Sequence, residues 1–246
     1  IRASISLQRH TCPPGRLPGY GFLSLTNETG SIIMDAMKIL SPELPQQPNE
    51  YRNTAPALEE RTENAAFLSC DFSRRDLAGL EFAGVTFVGC KFTSASFRRA
   101  DFCDTFFENC DFSGATLRGA SFRRTILCGC KGMGADFSEG YFADARVEQS
   151  NFSYANFSEV KFRAARFFEC DLADASLSNC KLKGLELQKV RLARAELYGT
   201  PFKGVDLTDC DLTGVTLSQD LHELRGATVS ALHAAAFLRA LGINVK

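Results

Sequence analysis

Large apolar side chains recur at every fifth position from Phe67 to Leu217. An α-helix needs apolar residues at a period near 3.6, and a half-buried strand needs a period of 2, so a period of five predicts neither element. Of the 31 central positions in this series, 17 are Phe and 12 are Leu, and the two exceptions are Gly132 and Val147. The position two residues before each centre is mostly small, with Arg75 as the outlier, and the other three positions are largely polar. Each five-residue unit therefore supplies one large and one small inward side chain.

A second period of twenty residues is superimposed on the first. Cysteines recur at this spacing from Cys70 to Cys130, and charged residues of mostly alternating sign recur from Asp71 to Asp211. The pattern predicts a coil of four sides per turn, with successive turns about 4.8 Å apart. Opposite charges directly above one another in such a coil are mildly favourable. We number the sides 1 to 4 by the four consecutive central residues Phe72, Leu77, Phe82 and Phe87, one on each side.

One position interrupts the large apolar series. Gly132 has no side chain to fill the interior, so we expect a gap in the stack and a local irregularity at residues 130–135. Met133 is flexible and apolar, and we expect it to turn inward as a filler.

The repeat units resemble those of the pentapeptide-repeat proteins. Units such as ADFCD, CDFSG, ADFSE, ANFSE and CDLTG match that family's A(D/N)LxX pattern, and the resemblance covers residues 65–219. It implies an all-β fold, a right-handed quadrilateral parallel β-helix with the central Phe or Leu inside.

The bounds of the repeats divide the chain into three parts: an N-terminal tail at 1–64, the repeats at 65–219 and a C-terminal module at 220–246. Residues 1–33 begin with Ile and lack the apolar core and cleavage site of a secretory signal, so we expect either upstream translated sequence or a tail, with Met34 or Met37 as a plausible natural start. Residues 41–64 are polar and rich in proline, and we expect them to be largely disordered or to lie along the coil.

The C-terminal module predicts a helix at 231–241, with Ser230 as N-cap and Gly242 just beyond its end. This helix is apolar almost all round and must be buried on more than one side. One side can cap the open coil. The other predicts a two-fold dimer contact, with a simple monomeric cap as the alternative. Beyond it, Ile243 and Val245 suggest a short edge strand. The candidate dimer residues are Leu232, Phe237, Leu238, Leu241, Ile243 and Val245.

This tail narrows the resemblance. The sequence LRGATV, a helix and then LGINV is similar to the C-terminal module of the quinolone-resistance pentapeptide proteins, the Qnr type and their mycobacterial relatives. The resemblance implies a homodimer that binds DNA gyrase and topoisomerase IV and protects them from quinolones or a natural gyrase poison. In that family the mechanism is mimicry of B-form DNA by an acidic rod.

The charge of the repeats does not match an acidic rod. Residues 65–246 contain 22 Asp and Glu and 22 Lys and Arg, whereas a DNA mimic would present dense negative charge. The candidate topoisomerase-facing residues on sides 1 and 2 are Asp71, Asp76, Asp111, Asp136, Asp171 and Asp211. The neutral balance favours an alternative, an interaction scaffold with no topoisomerase link.

The other two sides differ in character. Side 3 is basic, with Arg123, Arg124, Lys161, Arg163, Lys181, Lys183 and Lys203. Clustered cations attract phosphate, but no aromatic residues are interleaved to stack on single-stranded bases. We therefore expect a solvated face and no direct nucleic-acid binding. Side 4 has apolar outward positions at Val88, Phe106, Ile126, Cys128 and Phe168, which either residues 41–64 or a partner could cover.

The sequence does not predict an enzyme. The interior is filled by Phe and Leu, and no His–Cys–Asp cluster, glycine-rich phosphate loop or metal-ligand spacing occurs in the sequence. Seven of the ten cysteines occupy the small inward position, where Cys packs as a compact hydrophobe. We expect no cofactor and no metal, reduced thiols, no membrane span and a cytoplasmic location.

Overall fold

A computed structural model describes residues 39–240 and 242–244, which belong to one compact unit. The prediction of a quadrilateral parallel β-helix is confirmed: successive turns pair in parallel at a spacing of twenty residues, so that Phe67 lies opposite Phe87 and Phe87 opposite Phe107. The strands are β1 (Asn49–Arg52), β2 (Arg61–Glu63), β3 (Ala65–Leu68), β4 (Glu81–Ala83), β5 (Thr86–Val88), β6 (Asp101–Cys103), β7 (Phe106–Glu108), β8 (Ser121–Arg123), β9 (Ile126–Cys128), β10 (Tyr141–Glu148), β11 (Lys161–Phe168) and β12 (Lys181–Gln188).

The four sides carry different amounts of strand. Side 3 contains β2, β4, β6 and β8, side 4 contains β1, β3, β5, β7 and β9, and each of β10 to β12 runs through both sides. Sides 1 and 2 are joined by isolated bridges such as Asp71–Lys91 and Asp76–Ser96. Backbone bonds still connect the turns there, because the Phe72 amide donates to the Lys91 carbonyl at 2.8 Å. The backbone groups of each turn thus pair with the next, as buried backbone requires.

The corners between sides use left-handed backbone. The residue two positions after a centre has a positive φ, for example 55° at Ser69, 59° at Arg74 and 71° at Gly79. This conformation costs most residues energy, and Gly, Asn and Asp tolerate it best. The repeating Gly, Asn and Asp at this position therefore help turn the chain between sides.

The core is a set of stacked aromatic columns. Phe67 and Phe87 stack with ring centroids 5.0 Å apart, and Phe107 continues the column at 5.0 Å. Rings on neighbouring sides meet edge to face, as Phe67 and Phe72 do at 5.4 Å. Both geometries are favourable for aromatic pairs, so the rings add to the stability gained from burial.

The expectation for Gly132 was wrong. The backbone keeps its register there, because the Gly132 amide donates to the Asn151 carbonyl at 2.8 Å. Met133 does not turn inward and is 56% exposed. The Phe152 ring fills the space instead: a Cβ added at Gly132 would lie 2.3 Å from two of its ring carbons. A large ring one turn away thus replaces the missing side chain.

The N-terminal end of the coil is covered by residues 49–60. Strand β1 pairs with β3 at a spacing of 16 residues rather than twenty, with Asn49 opposite Ala65, and the Tyr51 ring stacks on Phe67 at 5.0 Å. Arg75 can stand at a position that is otherwise small because its guanidinium has partners in this segment. It donates hydrogen bonds to the carbonyls of Ala55 at 3.0 Å and Pro56 at 2.7 Å. The chain therefore blocks its own exposed strand edge.

The C-terminal end is closed by a 3-10 turn, His222–Leu224, and the helix α1, Ala231–Ala240. The predicted Ser230 cap is present, with its hydroxyl accepting the His233 amide at 3.2 Å. Gly242 has a φ of 79°, and the Ile243 amide donates to the Leu238 carbonyl at 2.9 Å. This bond ends the helix in a Schellman motif. It also uses the amide of Ile243, which lies in no strand; the expected edge strand is absent from residues 242–244, and Val245 lies outside the described residues.

Candidate functional site

The six candidate acidic residues all bind their own backbone. Each lies one position before a central residue, and its carboxylate accepts the amide two residues further on. Asp71 accepts from Ser73 at 2.8 Å, and Asp111 accepts from Ser113 at 2.9 Å. The same bond is made by Asp76, Asp136, Asp171 and Asp211. Such Asx turns stabilise the chain locally, so this role alone accounts for an acidic residue at that position.

Hydrogen bonds from Ser73 hold the pKa of Asp71 below its usual range, and hydrogen bonds from Thr213 do the same for Asp211. Both carboxylates are therefore ionised well below neutral pH. At neutral pH each of them places a negative charge on the outer surface of the coil.

The structure does not bring the six aspartates together into one dense patch. On side 1 they form a column with cations between them: Asp71 lies opposite Lys91, and Lys91 opposite Asp111, in isolated backbone β-bridges. Further along, Arg191 lies 3.1 Å from Asp171 and 3.9 Å from Asp211. On side 2, Ser96 and Thr116 separate Asp76 from Asp136. The candidate acidic side is thus two columns of dispersed charge.

Residues 41–45 lie at the border between sides 3 and 4. The Glu43 amide donates to Asp104 at 3.0 Å, and the Arg146 guanidinium donates to the Ser41 hydroxyl at 2.7 Å. Pro45 also lies close to Gly84. These contacts fit the alternative in which the proline-rich segment lies along the coil. The outward apolar residues of side 4 are half-buried or, for Cys128, buried.

The basic residues of side 3 fall into two groups. Arg123 pairs with Asp101, and Arg124 pairs with Asp104, whose carboxylate raises the Arg124 pKa. The second group is exposed, and no member of it makes an ion pair within residues 39–240 and 242–244. It consists of Lys161, Arg163, Lys181, Lys183 and Lys203. We call this group the cationic row.

The C-terminal module encloses a buried carboxylate that sequence reasoning missed. Glu223 is fully buried and accepts hydrogen bonds from the Gly199 amide at 3.0 Å and from the Ser218 amide and hydroxyl at 3.1 and 2.7 Å. Burial raises the pKa of Glu223, but these hydrogen bonds outweigh it and hold the pKa below its usual range. Nearby, hydrogen bonds from His222 and then Ser218 lower the pKa of Asp220 to about 2. The cluster joins the last turns of the coil to the module.

Helix α1 has one covered side and one open side. Phe237 packs partly buried against the core. By contrast, Leu232 is 83% exposed, Leu238 39% and Ile243 49%. Leu241 and Val245, the other two candidate dimer residues, lie outside the described residues. The open side therefore presents a strip of at least three apolar side chains.

The cysteines at the small inward positions act as packing residues. Burial raises the pKa of Cys170 to about 12 and that of Cys180 to about 11. The Cys110 thiol, buried in the same way, also has a strongly raised pKa. Since reactivity requires the thiolate, these thiols are poor nucleophiles at neutral pH. Among the described residues, no group of three or more His, Cys, Asp or Glu side chains is placed to hold a metal ion, and no helix is long and apolar enough to cross a membrane.

Comparison with known proteins agrees with the repeat pattern. A family model for a pentapeptide repeat region matches residues 100–177, and a model for eight pentapeptide repeats matches residues 170–209 and 187–219. No curated protein matches the chain.

Several solved structures are similar to this chain, with TM-scores below 0.5. QnrB1, a plasmid-mediated fluoroquinolone resistance protein, is 27% identical over 84% of this chain and 99% of its own, with a TM-score of 0.43. HetL, a pentapeptide repeat protein involved in heterocyst differentiation regulation from the cyanobacterium Nostoc, is 19% identical over 74% and 90%, with a TM-score of 0.37. A pentapeptide repeat protein from the Arabidopsis thaliana thylakoid lumen is 20% identical over 71% and 86%, with a TM-score of 0.22. With its twenty-residue turns, its stacked Phe and Leu columns and these two family models, the chain consists of pentapeptide repeats over residues 100–219.

Proposed function

We propose that this protein is a homodimeric binding protein of DNA gyrase or topoisomerase IV, which protects the enzyme from quinolones or a natural gyrase poison. One observation carries this proposal: the coil ends in a capped helix whose open side exposes Leu232, Leu238 and Ile243. The same stretch of sequence, LRGATV to LGINV, is similar to the C-terminal module of the Qnr-type and mycobacterial proteins. Such a binding protein would act in the cytoplasm and would need no catalytic group or cofactor.

The open side of α1 supports a dimer because apolar strips of this kind are costly to leave in water. A two-fold contact would place the strip of one copy on the same strip of the other. Leu232→Asp would put a carboxylate into that contact, and light scattering should then show half the mass of the unchanged protein. Met133→Asp is the matched control, since Met133 is 56% exposed on side 1. An unchanged mass for Leu232→Asp would remove the helix as the contact.

The acidic columns can be tested without disturbing the fold. Asn151 makes the same backbone bond as the aspartates, to Ser153 at 2.9 Å, so Asp→Asn removes charge and keeps the Asx turn. We expect Asp111→Asn with Asp171→Asn to weaken protection of gyrase supercoiling against a fluoroquinolone. Asp144→Asn with Asp206→Asn removes the same charge from other parts of the surface and serves as control. Equal protection by both pairs would argue against DNA mimicry by the acidic columns.

The alternative is an interaction scaffold with no topoisomerase link. The balance of 22 acidic and 22 basic residues in residues 65–246 favours it, as do the cations between the aspartates of side 1. A supercoiling assay with purified gyrase, with and without a fluoroquinolone, separates the two functions. Protection that rises with protein concentration supports the first, whereas no binding and no effect on supercoiling supports the scaffold.

A further inference from the structure

Two neighbouring strands on side 3 place like charges directly opposite one another. In the parallel ladder of β11 and β12, Lys161 lies opposite Lys181 and Arg163 lies opposite Lys183. Lys203 follows Lys183 by one further turn of twenty residues. Like charges at directly opposed positions are destabilising in a sheet. The free protein therefore gives up some stability at this place.

The same two strands avoid this arrangement on side 4. There Arg166 lies opposite Glu186, and the Arg166 Nε to Glu186 Oε2 distance is 2.6 Å. Opposite charges twenty residues apart also pair elsewhere on the coil, as in Arg194 with Asp174, Lys189 with Glu169 and Arg191 with Asp171. The repeat thus readily accommodates cross-turn ion pairs. Like charges also lie opposite one another at Arg146 and Arg166, but Arg166 has an acidic partner in Glu186. The cationic row differs because it extends over successive turns and none of its members makes an ion pair within the described residues.

The residues around the cationic row indicate which class of partner it could bind. The corner residues beside it are small, namely Ala164, Gly184 and Gly204, so a broad object can approach closely. None of the exposed large apolar side chains in the described part of the chain belongs to side 3. Protein interfaces usually depend on buried aromatic or apolar anchors, and surface binding to lipid usually adds apolar insertion. A regular polyanion needs neither.

We propose that the cationic row binds the phosphate backbone of duplex DNA. Its long side chains repeat about 4.8 Å apart along the coil and offer point charges without base-specific geometry, so binding is independent of sequence. Side 3 carries a single outward aromatic residue, the half-buried Tyr141 opposite Lys161, and not the series on which successive bases would stack, which favours a duplex over a single strand. This departs from the expectation of a merely solvated face. It does not depend on the topoisomerase proposal, because it concerns DNA and a different side of the coil.

Salt dependence measures the contact directly. Five phosphate contacts predict a slope of about −4.5 for log K against log salt. Affinity for a labelled 20-base-pair duplex of arbitrary sequence, followed by fluorescence anisotropy with the full chain, should thus fall about 500-fold between 50 and 200 mM salt. Changing Lys161, Arg163, Lys181 and Lys183 to Gln should reduce the magnitude of the slope by about 3.6. A control variant removes four exposed cations from sides 1 and 2 instead: Arg74, Lys91, Arg99 and Lys131.

A second variant tests whether the cationic row serves DNA binding or the stability of the coil. Lys181→Glu places opposite charges across the ladder from Lys161, so it should raise the melting temperature while weakening DNA binding. Equal loss of binding in the side 3 variant and the control would overturn the proposal, as would a wild-type protein that does not bind the duplex at 50 mM salt. Binding of polyglutamate or of phosphatidylserine vesicles by the row, without binding of DNA, would also overturn it and would assign the row to an acidic protein or a lipid surface.

Discussion

The space above Gly132 gives the sharpest test of how the core is packed. Gly132 has no positive φ, so its backbone accepts any L-residue. A Cβ at this position would lie 2.3 Å from two ring carbons of Phe152, far inside normal contact, and the ring must move. Such overpacking costs about 1–3 kcal/mol. Gly132→Ala should therefore lower the melting temperature by roughly 5 °C, taking about 2–4 °C per kcal/mol for a chain of this size.

A double-mutant cycle shows whether the Phe152 ring is the cause. Phe152→Leu alone should cost about 1–2 kcal/mol, because it leaves the space beside Gly132 unfilled. Combined with Gly132→Ala, the cost should be less than the sum, with a coupling energy of about 1 kcal/mol or more. Urea unfolding followed by circular dichroism gives the free energy of unfolding for each variant.

Gly134 is the matched control. It has a φ of +66° and no atom within 4 Å of an added Cβ, so Gly134→Ala costs only the left-handed backbone, about 1–2 kcal/mol. That cost should not change when Phe152 becomes Leu. Additive free energies for Gly132→Ala and Phe152→Leu would refute the reasoning, because they would show that the ring does not occupy the place of the missing side chain.

Three further predictions concern the two ends of the coil. Glu223→Ala leaves the Gly199 and Ser218 amides without their acceptor and should cost about 2–4 kcal/mol, seen as a lower melting temperature and faster proteolysis of the C-terminal module. A cost below about 0.5 kcal/mol would contradict its anchoring role. The folded-state pKa values of Glu223 and Asp220 are both lowered, so their contribution is fully present above the unfolded values near pH 4 and is lost as pH falls toward about 2. The melting temperature should be flat from pH 7 to 5 and fall below pH 4, more steeply than in the Glu223→Gln variant. Arg75→Ala removes two hydrogen bonds to the N-terminal cap and should cost about 1–3 kcal/mol, whereas exposed Arg74→Ala should change little.

The interior of the coil could be predicted from the sequence because one rule repeats. Every fifth residue faces inward whatever its neighbours are, so Phe67 and Phe152 could both be placed without knowledge of distant contacts. The helix could be placed for a similar reason, since Ser230 and Gly242 act within a few residues of themselves. Local chemistry of this kind is visible in a sequence.

The parts that could not be predicted depend on which chain segments meet. The space at Gly132 is filled by a residue twenty positions away, and nothing local to Met133 reveals this. Arg75 is an outlier in the repeat, and only the structure shows that the Ala55 and Pro56 carbonyls accept its hydrogen bonds. Glu223 is one acidic residue among many in the sequence, and only the closure of the last turns buries it.

The candidate site illustrates the same limit. The twenty-residue spacing places the aspartates in columns, but their bonds to their own backbone give them a structural role that a charge count does not reveal. The opposition of Lys161 and Lys181 follows from the twenty-residue period, yet its significance depends on comparison with the ion pair between Arg166 and Glu186, where the same two strands run along side 4.

The constant turn of twenty residues also constrains how such a chain can change in length. Deleting a single five-residue unit would rotate everything downstream by a quarter turn, so that the lysines after the deletion would line up under a different side. Removing or adding a whole turn shortens or lengthens the coil and leaves each column in place. Length variants of this protein should therefore tolerate steps of twenty residues far better than steps of five, ten or fifteen.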